Sequence, residues 1–127
     1  MDGFGVYVHV PFCAARCDYC DFATWTDRHH LMAAYAAACV ADLTRWYERR
    51  PVPPATSVFF GGGTPSLLPG DLLVGILAAV SRQPGAEVTV ECNPDTVTPE
   101  LLAAYRSGAF LYKGDGRAGR LTLTYDF

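Results

Sequence analysis

Three cysteines, Cys13, Cys17 and Cys20, fall within eight consecutive residues directly after Gly5-Val6-Tyr7-Val8-His9-Val10, and this juxtaposition constrains the chain more than any other feature. The stretch before them alternates strictly, with Val6, Val8 and Val10 on one face and Tyr7 and His9 on the other, which is the period of a strand. The cysteine loop therefore leaves the C-terminal end of a strand, where parallel α/β folds build their sites. Spacings of four and three let all three sulfurs converge on one small inorganic body. On a cubane of four irons, three thiolates leave one iron with no protein ligand. A structural zinc site closed by His29, His30 or Cys92 is the competing reading of the same spacing, because zinc usually takes four closed ligands.

Five cysteines are an odd number, and the start Met1-Asp2-Gly3-Phe4-Gly5 lacks the basic region and apolar core of an export signal, so a disulfide framework fits poorly. Reduced thiols in the cytoplasm, some of them binding metal, fit better. Lys and Arg number 10 against 13 Asp and Glu, so no field attracts phosphate backbones or anionic lipid, and neither nucleic acid nor a membrane surface is expected as a partner. The longest nearly unbroken apolar run, Leu72 to Val80, is about half of the roughly 20 residues a membrane-spanning helix needs. With 127 residues, half of them apolar, the chain holds material for one compact core.

Beyond the cysteine loop, Leu31, Tyr35, Cys39, Leu43 and Trp46 recur every three or four residues, which predicts a helix ending near Arg49 and Arg50. Pro51-Val52-Pro53-Pro54 forbids helix and leads into a buried strand, Ser57 to Phe60, stopped by three glycines. A second helix is expected from Asp71 to Arg82, a turn at Gln83-Pro84-Gly85, and a third strand from Glu87 to Glu91. Thr98, with Pro99 at the first helical position, opens a third helix. Leu121, Leu123, Tyr125 and Phe127 alternate with polar residues and suggest a short last strand. This alternation predicts an α/β fold, the beginning of a β/α barrel or of an open doubly wound sheet.

Gly61-Gly62-Gly63-Thr64-Pro65 follows the second strand at the same end of the sheet as the cysteine loop. Residues without Cβ let a backbone approach a ligand, although a tight turn has the same composition. On the third strand, Thr89 and Glu91 share one face, and Val88, Val90 and Cys92 share the other, which is expected to lie against helices. Glu91 would then point into the cavity, toward a ligand ammonium or in a structural hydrogen bond to the glycine loop. Tyr7 and His9 lie on the cavity face by the same parity, with a hydrogen-bonded core pair as the alternative. Cys39 and Cys92 read as packed thiols, and His29 and His30 as an exposed helix start.

Taken in order and spacing, Tyr7-Val8-His9-Val10-Pro11-Phe12-Cys13, Cys17-Asp18-Tyr19-Cys20, Phe60-Gly61-Gly62-Gly63-Thr64-Pro65 and Glu91-Cys92-Asn93-Pro94-Asp95 resemble the oxygen-independent coproporphyrinogen III oxidase family of the radical S-adenosylmethionine (SAM) superfamily. The likeness runs from residue 5 to residue 109. It implies the N-terminal half, three βα units, of a radical SAM partial β/α barrel. It further implies a [4Fe-4S] cluster on Cys13, Cys17 and Cys20, SAM chelating the open iron, and reductive cleavage of SAM to a 5′-deoxyadenosyl radical. By position, Gly62, Gly63, Thr64 and Glu91 would hold the methionine part of SAM, with Tyr7 and Phe22 also in the cofactor-binding set. No residue is assigned a catalytic role.

Phe22 stands where the decarboxylating oxidases of that family carry a further cysteine, and in this the chain resembles the HemW-like branch, whose members look like haem chaperones. On that likeness, haem or a porphyrin and a haem-accepting protein are expected partners, with haem binding a property of full-length relatives. The resemblance stops near residue 109, so residues 1–109 read as a partial radical SAM core domain and 110–127 as a divergent tail, the mark of a truncated or frameshifted gene. Two other functions compete: an inactive fragment unable to complete the SAM site, and a small structural zinc protein.

Overall fold

A computed structural model describes residues 3–13, 29–110 and 120–125. Its frame is one sheet of four parallel strands in the order β1-β2-β3-β4, with β1 at Gly5–Val10, β2 at Ala55–Gly62, β3 at Arg82–Cys92 and β4 at Arg120–Tyr125. Helices α1 (Met32–Arg49), α2 (Gly70–Ala79) and α3 (Pro99–Phe110) make the connections. Because strand order follows chain order, right-handed crossovers put every connection on the same side of the sheet. That is the geometry of a β/α barrel in progress, and a doubly wound sheet would need a reversal of strand order.

One face of the sheet carries the core. Val8, Val10, Val58, Phe60, Val88, Val90 and Cys92 pack with Ala36 of α1, Leu73, Ile76 and Leu77 of α2 and Tyr105 of α3. These inward positions of β1 and β3 are buried; on the other face Tyr7 is 58% exposed, while Thr89 of β3 is buried as well. Along α1 the inward stripe is Met32, Tyr35, Cys39, Val40 and Leu43. Leu31, expected at its head, sits instead in a one-turn 3-10 helix, His29–Leu31, and is exposed. At the other end Trp46 stacks on Phe4, and the Arg50 guanidinium lies 5.4 Å over the Trp46 ring.

Two boundaries differ from the sequence reading. Helix α2 stops at Ala79, because Val80 is extended, and Arg82 opens β3 rather than closing the helix. Arg82 is buried and donates from Nη2 to the Gly108 carbonyl at 2.9 Å, so a cation meets the negative end of α3. The expected turn at Gln83-Pro84-Gly85 is a bulge within β3: Ala55 pairs with Arg82 but Ser57 pairs with Glu87, and Gly85 takes φ +80°. Thr98 caps α3 as expected, its Oγ1 accepting from Leu101 N at 3.1 Å. Strand β4 extends the sheet beyond the boundary expected at residue 109, pairing Thr89 with Thr122 and Glu91 with Thr124.

This division of faces has a measurable consequence. Phe60→Ala empties a fully buried site in the central strand and should cost about 3–5 kcal/mol. The half-exposed Phe59→Ala, one residue away on the open face, should cost less than half as much in the same urea titration.

Candidate cofactor site

The C-terminal ends of β1 and β2 meet through the glycine loop. Gly63 N donates to the Val10 carbonyl at 2.8 Å, and Thr64 N to the Phe12 carbonyl at 2.7 Å, so the loop continues the pairing of the two strands past their ends. Gly62 takes φ +111°, a conformation that side chains rarely adopt. A Cβ on Gly62 would lie 2.8 Å from His9 Nδ1, and one on Gly63 would lie 2.7 Å from Cys13 Sγ. The sulfur of Cys13 therefore rests on bare backbone, and its residue is only 8% exposed.

Sequence parity put Tyr7 and His9 together on the face of β1 opposite the valines, and the structure has them there. Tyr7 and His9 share the open face and a hydrogen bond of 3.2 Å between the Tyr7 hydroxyl and His9 Nδ1. The Tyr7 ring stacks on Phe59 at 5.9 Å. Glu91 is half-buried near the C-terminal end of β3. Partial burial of Tyr7, followed by the nearby Glu91 carboxylate, raises the phenol above its ordinary pKa, so Tyr7 stays protonated and can donate throughout the neutral range. Gly62, Gly63 and Thr64 lie together on the loop beside Cys13. Cys17, Cys20 and Phe22 lie outside the described residues.

The two packed thiols are where parity put them. Cys92 is buried on the helix face, and its thiol donates to the Val90 carbonyl at 3.5 Å. Cys39 is half-buried beside Tyr35. Among the described residues no three His, Cys, Asp or Glu side chains converge as a metal-binding group. Cys13, Cys39 and Cys92 are all free thiols.

Two parts of the site escaped the sequence reading. Ser66 is 3% exposed, and its hydroxyl accepts from Asn93 N at 3.0 Å and shares a hydrogen bond with the Thr96 hydroxyl. It thereby ties the loop after β2 to the Asn93-Pro94-Asp95 turn after β3. The turn itself is an Asx turn, with Asp95 N donating to Asn93 Oδ1 at 3.0 Å. The Asx turn was legible in Asn93-Pro94-Asp95, but no local signal marks Ser66 as its partner 27 residues away. The second is His29, read as an exposed helix start. It is exposed, yet its Nε2 donates to the Cys13 carbonyl at 2.9 Å.

The profile of the Radical SAM superfamily matches residues 7–112 of this chain. The heme chaperone HemW of Mycobacterium tuberculosis (strain ATCC 25618 / H37Rv) is 40% identical over 114 residues, 84% of this chain and 29% of the relative. HemW of Escherichia coli (strain K12) is 34% identical over 110 residues, 80% of this chain and 28% of the relative. The mitochondrial radical S-adenosyl methionine domain-containing protein 1 of Bos taurus is 36% identical over 104 residues, 79% of this chain and 24% of the relative. The chain thus spans less than a third of the length of these relatives. No solved structure matches it.

Thiol reactivity tests this picture of the site. Burial raises the Cys39 and Cys92 thiols above their ordinary pKa, although Tyr35 and Ser66 hydrogen bonds offset part of the shift. A raised thiol pKa means less thiolate at a given pH. At pH 8 both residues of the folded protein should alkylate more slowly with iodoacetamide than a free cysteine does, and the rise of the rate with pH should be displaced to higher pH. Mass spectrometry of the labelled peptides measures it.

Proposed function

The chain belongs to the radical SAM superfamily, and from that premise we propose that it is a HemW-like protein whose Cys13, Cys17 and Cys20 hold a [4Fe-4S] cluster beside a SAM site. The observation that carries the proposal is the seat of Cys13. Its sulfur lies against Gly63, at a point where any side chain on that residue would collide with it. A loop of this kind brings backbone donors and acceptors to within contact distance of whatever the sulfur binds.

The donor set suits the cluster. Three thiolates on one loop match iron-sulfur ligation and leave one iron open. Bound there, the cluster would supply one-electron reduction to a ligand on its open iron. This chain's own residues would do the rest. Gly62, Gly63 and Thr64 would line the methionine part of SAM with groups other than the Gly63 and Thr64 N–H donors, which the Val10 and Phe12 carbonyls take up, and the Gly62 conformation is available to glycine almost alone. Glu91, whose field already reaches Tyr7 on the open face, offers a carboxylate to the SAM ammonium, which would offset the cost of its partial burial. Tyr7 offers a protonated hydroxyl and a ring on the same face, and Phe22 completes the cofactor set from the cysteine loop.

Haem enters through the relatives. HemW of M. tuberculosis and of E. coli are heme chaperones by name, and we extend to this chain a role in haem handling, with haem or a porphyrin and a haem-accepting protein as partners. Residues 1–109 would form the core of the SAM site and 110–127 an added segment that contributes β4. A reducing, cytoplasmic setting suits the free thiols, and no described helix is long and apolar enough to cross a membrane.

Anaerobic reconstitution with iron and sulfide should give about four irons per chain and a broad visible absorption. Cys13→Ala, Cys17→Ala or Cys20→Ala should each remove both. Gly63→Ala should lower iron content while all three cysteines remain, because the new methyl takes the space beside Cys13 Sγ. Addition of SAM should perturb the electron paramagnetic resonance spectrum of the reduced cluster. Protein that retains zinc and refuses iron and sulfide under the same conditions would overturn the proposal.

A further inference from the structure

Cys13 and His29 are the described residues on either side of positions 14–28, and they are joined directly. His29 Nε2 lies 2.9 Å from the Cys13 carbonyl oxygen, across 16 positions of sequence. A carbonyl has no proton to give, so the imidazole donates and carries its hydrogen on Nε2. The ring has a built surround. Its edge meets the Phe12 ring, with centroids 6.3 Å apart and planes at 73°. Phe12 is fully buried and meets Tyr35 of α1 edge-on at 5.4 Å. The Tyr35 hydroxyl donates to the His9 carbonyl, which ties α1 back to β1.

We infer that His29 is a positioning residue for the iron-sulfur cluster. It holds the Cys13 carbonyl and so fixes the direction in which the chain leaves the first cysteine. It also keeps residue 29 beside residue 13 whether or not metal is bound. The inference rests on the cluster reading proposed above. Its physical ground is loop closure: a ligand set drawn from one segment binds more tightly when the segment's two ends are already held together, since that part of the entropy cost has been met by the fold. The glycine loop restrains the chain before Cys13, through Val10 and Phe12 carbonyls. His29 adds a restraint after it, at the peptide that leads toward Cys17 and Cys20.

The test uses the 127-residue chain as wild type, His29→Ala and His29→Gln, each reconstituted anaerobically, with iron release to a chelator followed over time. Loss of one hydrogen bond should make His29→Ala release iron about threefold to tenfold faster than wild type. The thermal midpoint of the metal-free protein should fall by no more than a few degrees, the size expected for one hydrogen bond, and far less than a core substitution lowers it. His29→Gln, whose side-chain amide can donate from a similar reach, should restore slow release. Equal release by wild type and His29→Ala overturns the inference and leaves the cluster reading standing. Fast release by both variants, or a metal-free thermal midpoint lowered as far as a core substitution lowers it, overturns it too, because His29 would then act through general stability. A wild-type chain that takes up no iron and sulfide overturns the cluster reading itself, and this inference with it.

Discussion

Backbone pairing between the ends of β1 and β2 is the constraint on which the site depends. The register that joins Val8 to Phe60 and Val10 to Gly62 runs on through Gly63 and Thr64 to the carbonyls of Val10 and Phe12. The last peptides of β1 are thereby fixed before the chain turns into the cysteine loop. Such close approach is possible because Gly62 and Gly63 carry no Cβ; one at Gly62 would fall inside contact distance of His9 and Val10, and one at Gly63 inside that of Phe12 and Cys13. Cys13 consequently follows two residues, Val10 and Phe12, whose carbonyls are held by main-chain hydrogen bonds.

The two faces of the sheet divide the work. On one face, valines, Phe60 and Cys92 meet the three helices and leave almost no exposed surface; at roughly 25 cal/mol per Å² of apolar area this face supplies most of the folding energy. The other face carries Tyr7, His9, Phe59, Thr89 and Glu91, residues with hydrogen-bonding groups or aromatic rings; of these Thr89 is buried and Tyr7 is exposed. A sheet wound always in one direction has a face left for other uses, and among the described residues its C-terminal edge carries the glycine loop, Cys13 and the turn after β3. Ser66 and Asn93 fasten the first and last of these to each other, so the edge behaves as a connected rim.

Much of this was legible in the residues themselves. Strand β1 has the bounds its alternation predicts, and the parity of β3 separated Glu91 from Val88, Val90 and Cys92 correctly. Period-two patterning works here because one face is buried and a slip by one residue would invert every side chain. Helix α2 ended three residues earlier than expected, since Val80 and Ser81 are as compatible with a helix as with an extended link and nothing local chooses between them. Gln83-Pro84-Gly85 carries the composition of a turn, and it is one, but only pairing with β2 reveals it as a bulge inside a longer strand. Cys17, Cys20 and Phe22 lie outside the described residues, and for them the sequence motif stands alone.

Local chemistry alone therefore determined the βα alternation and the face each strand residue would take, and together with the family motif it marked the residues proposed for a cluster and its ligand. Those are properties of short segments, written in periodicity, in glycine's missing Cβ and in thiol spacing. Tertiary structure alone decided that Cys13 rests on Gly63, that Ser66 reaches Asn93, and that His29 holds the carbonyl of Cys13. Each of these joins residues far apart in the chain, and such contacts arise from the common frame of sheet register and helix packing, to which no single stretch of sequence has access.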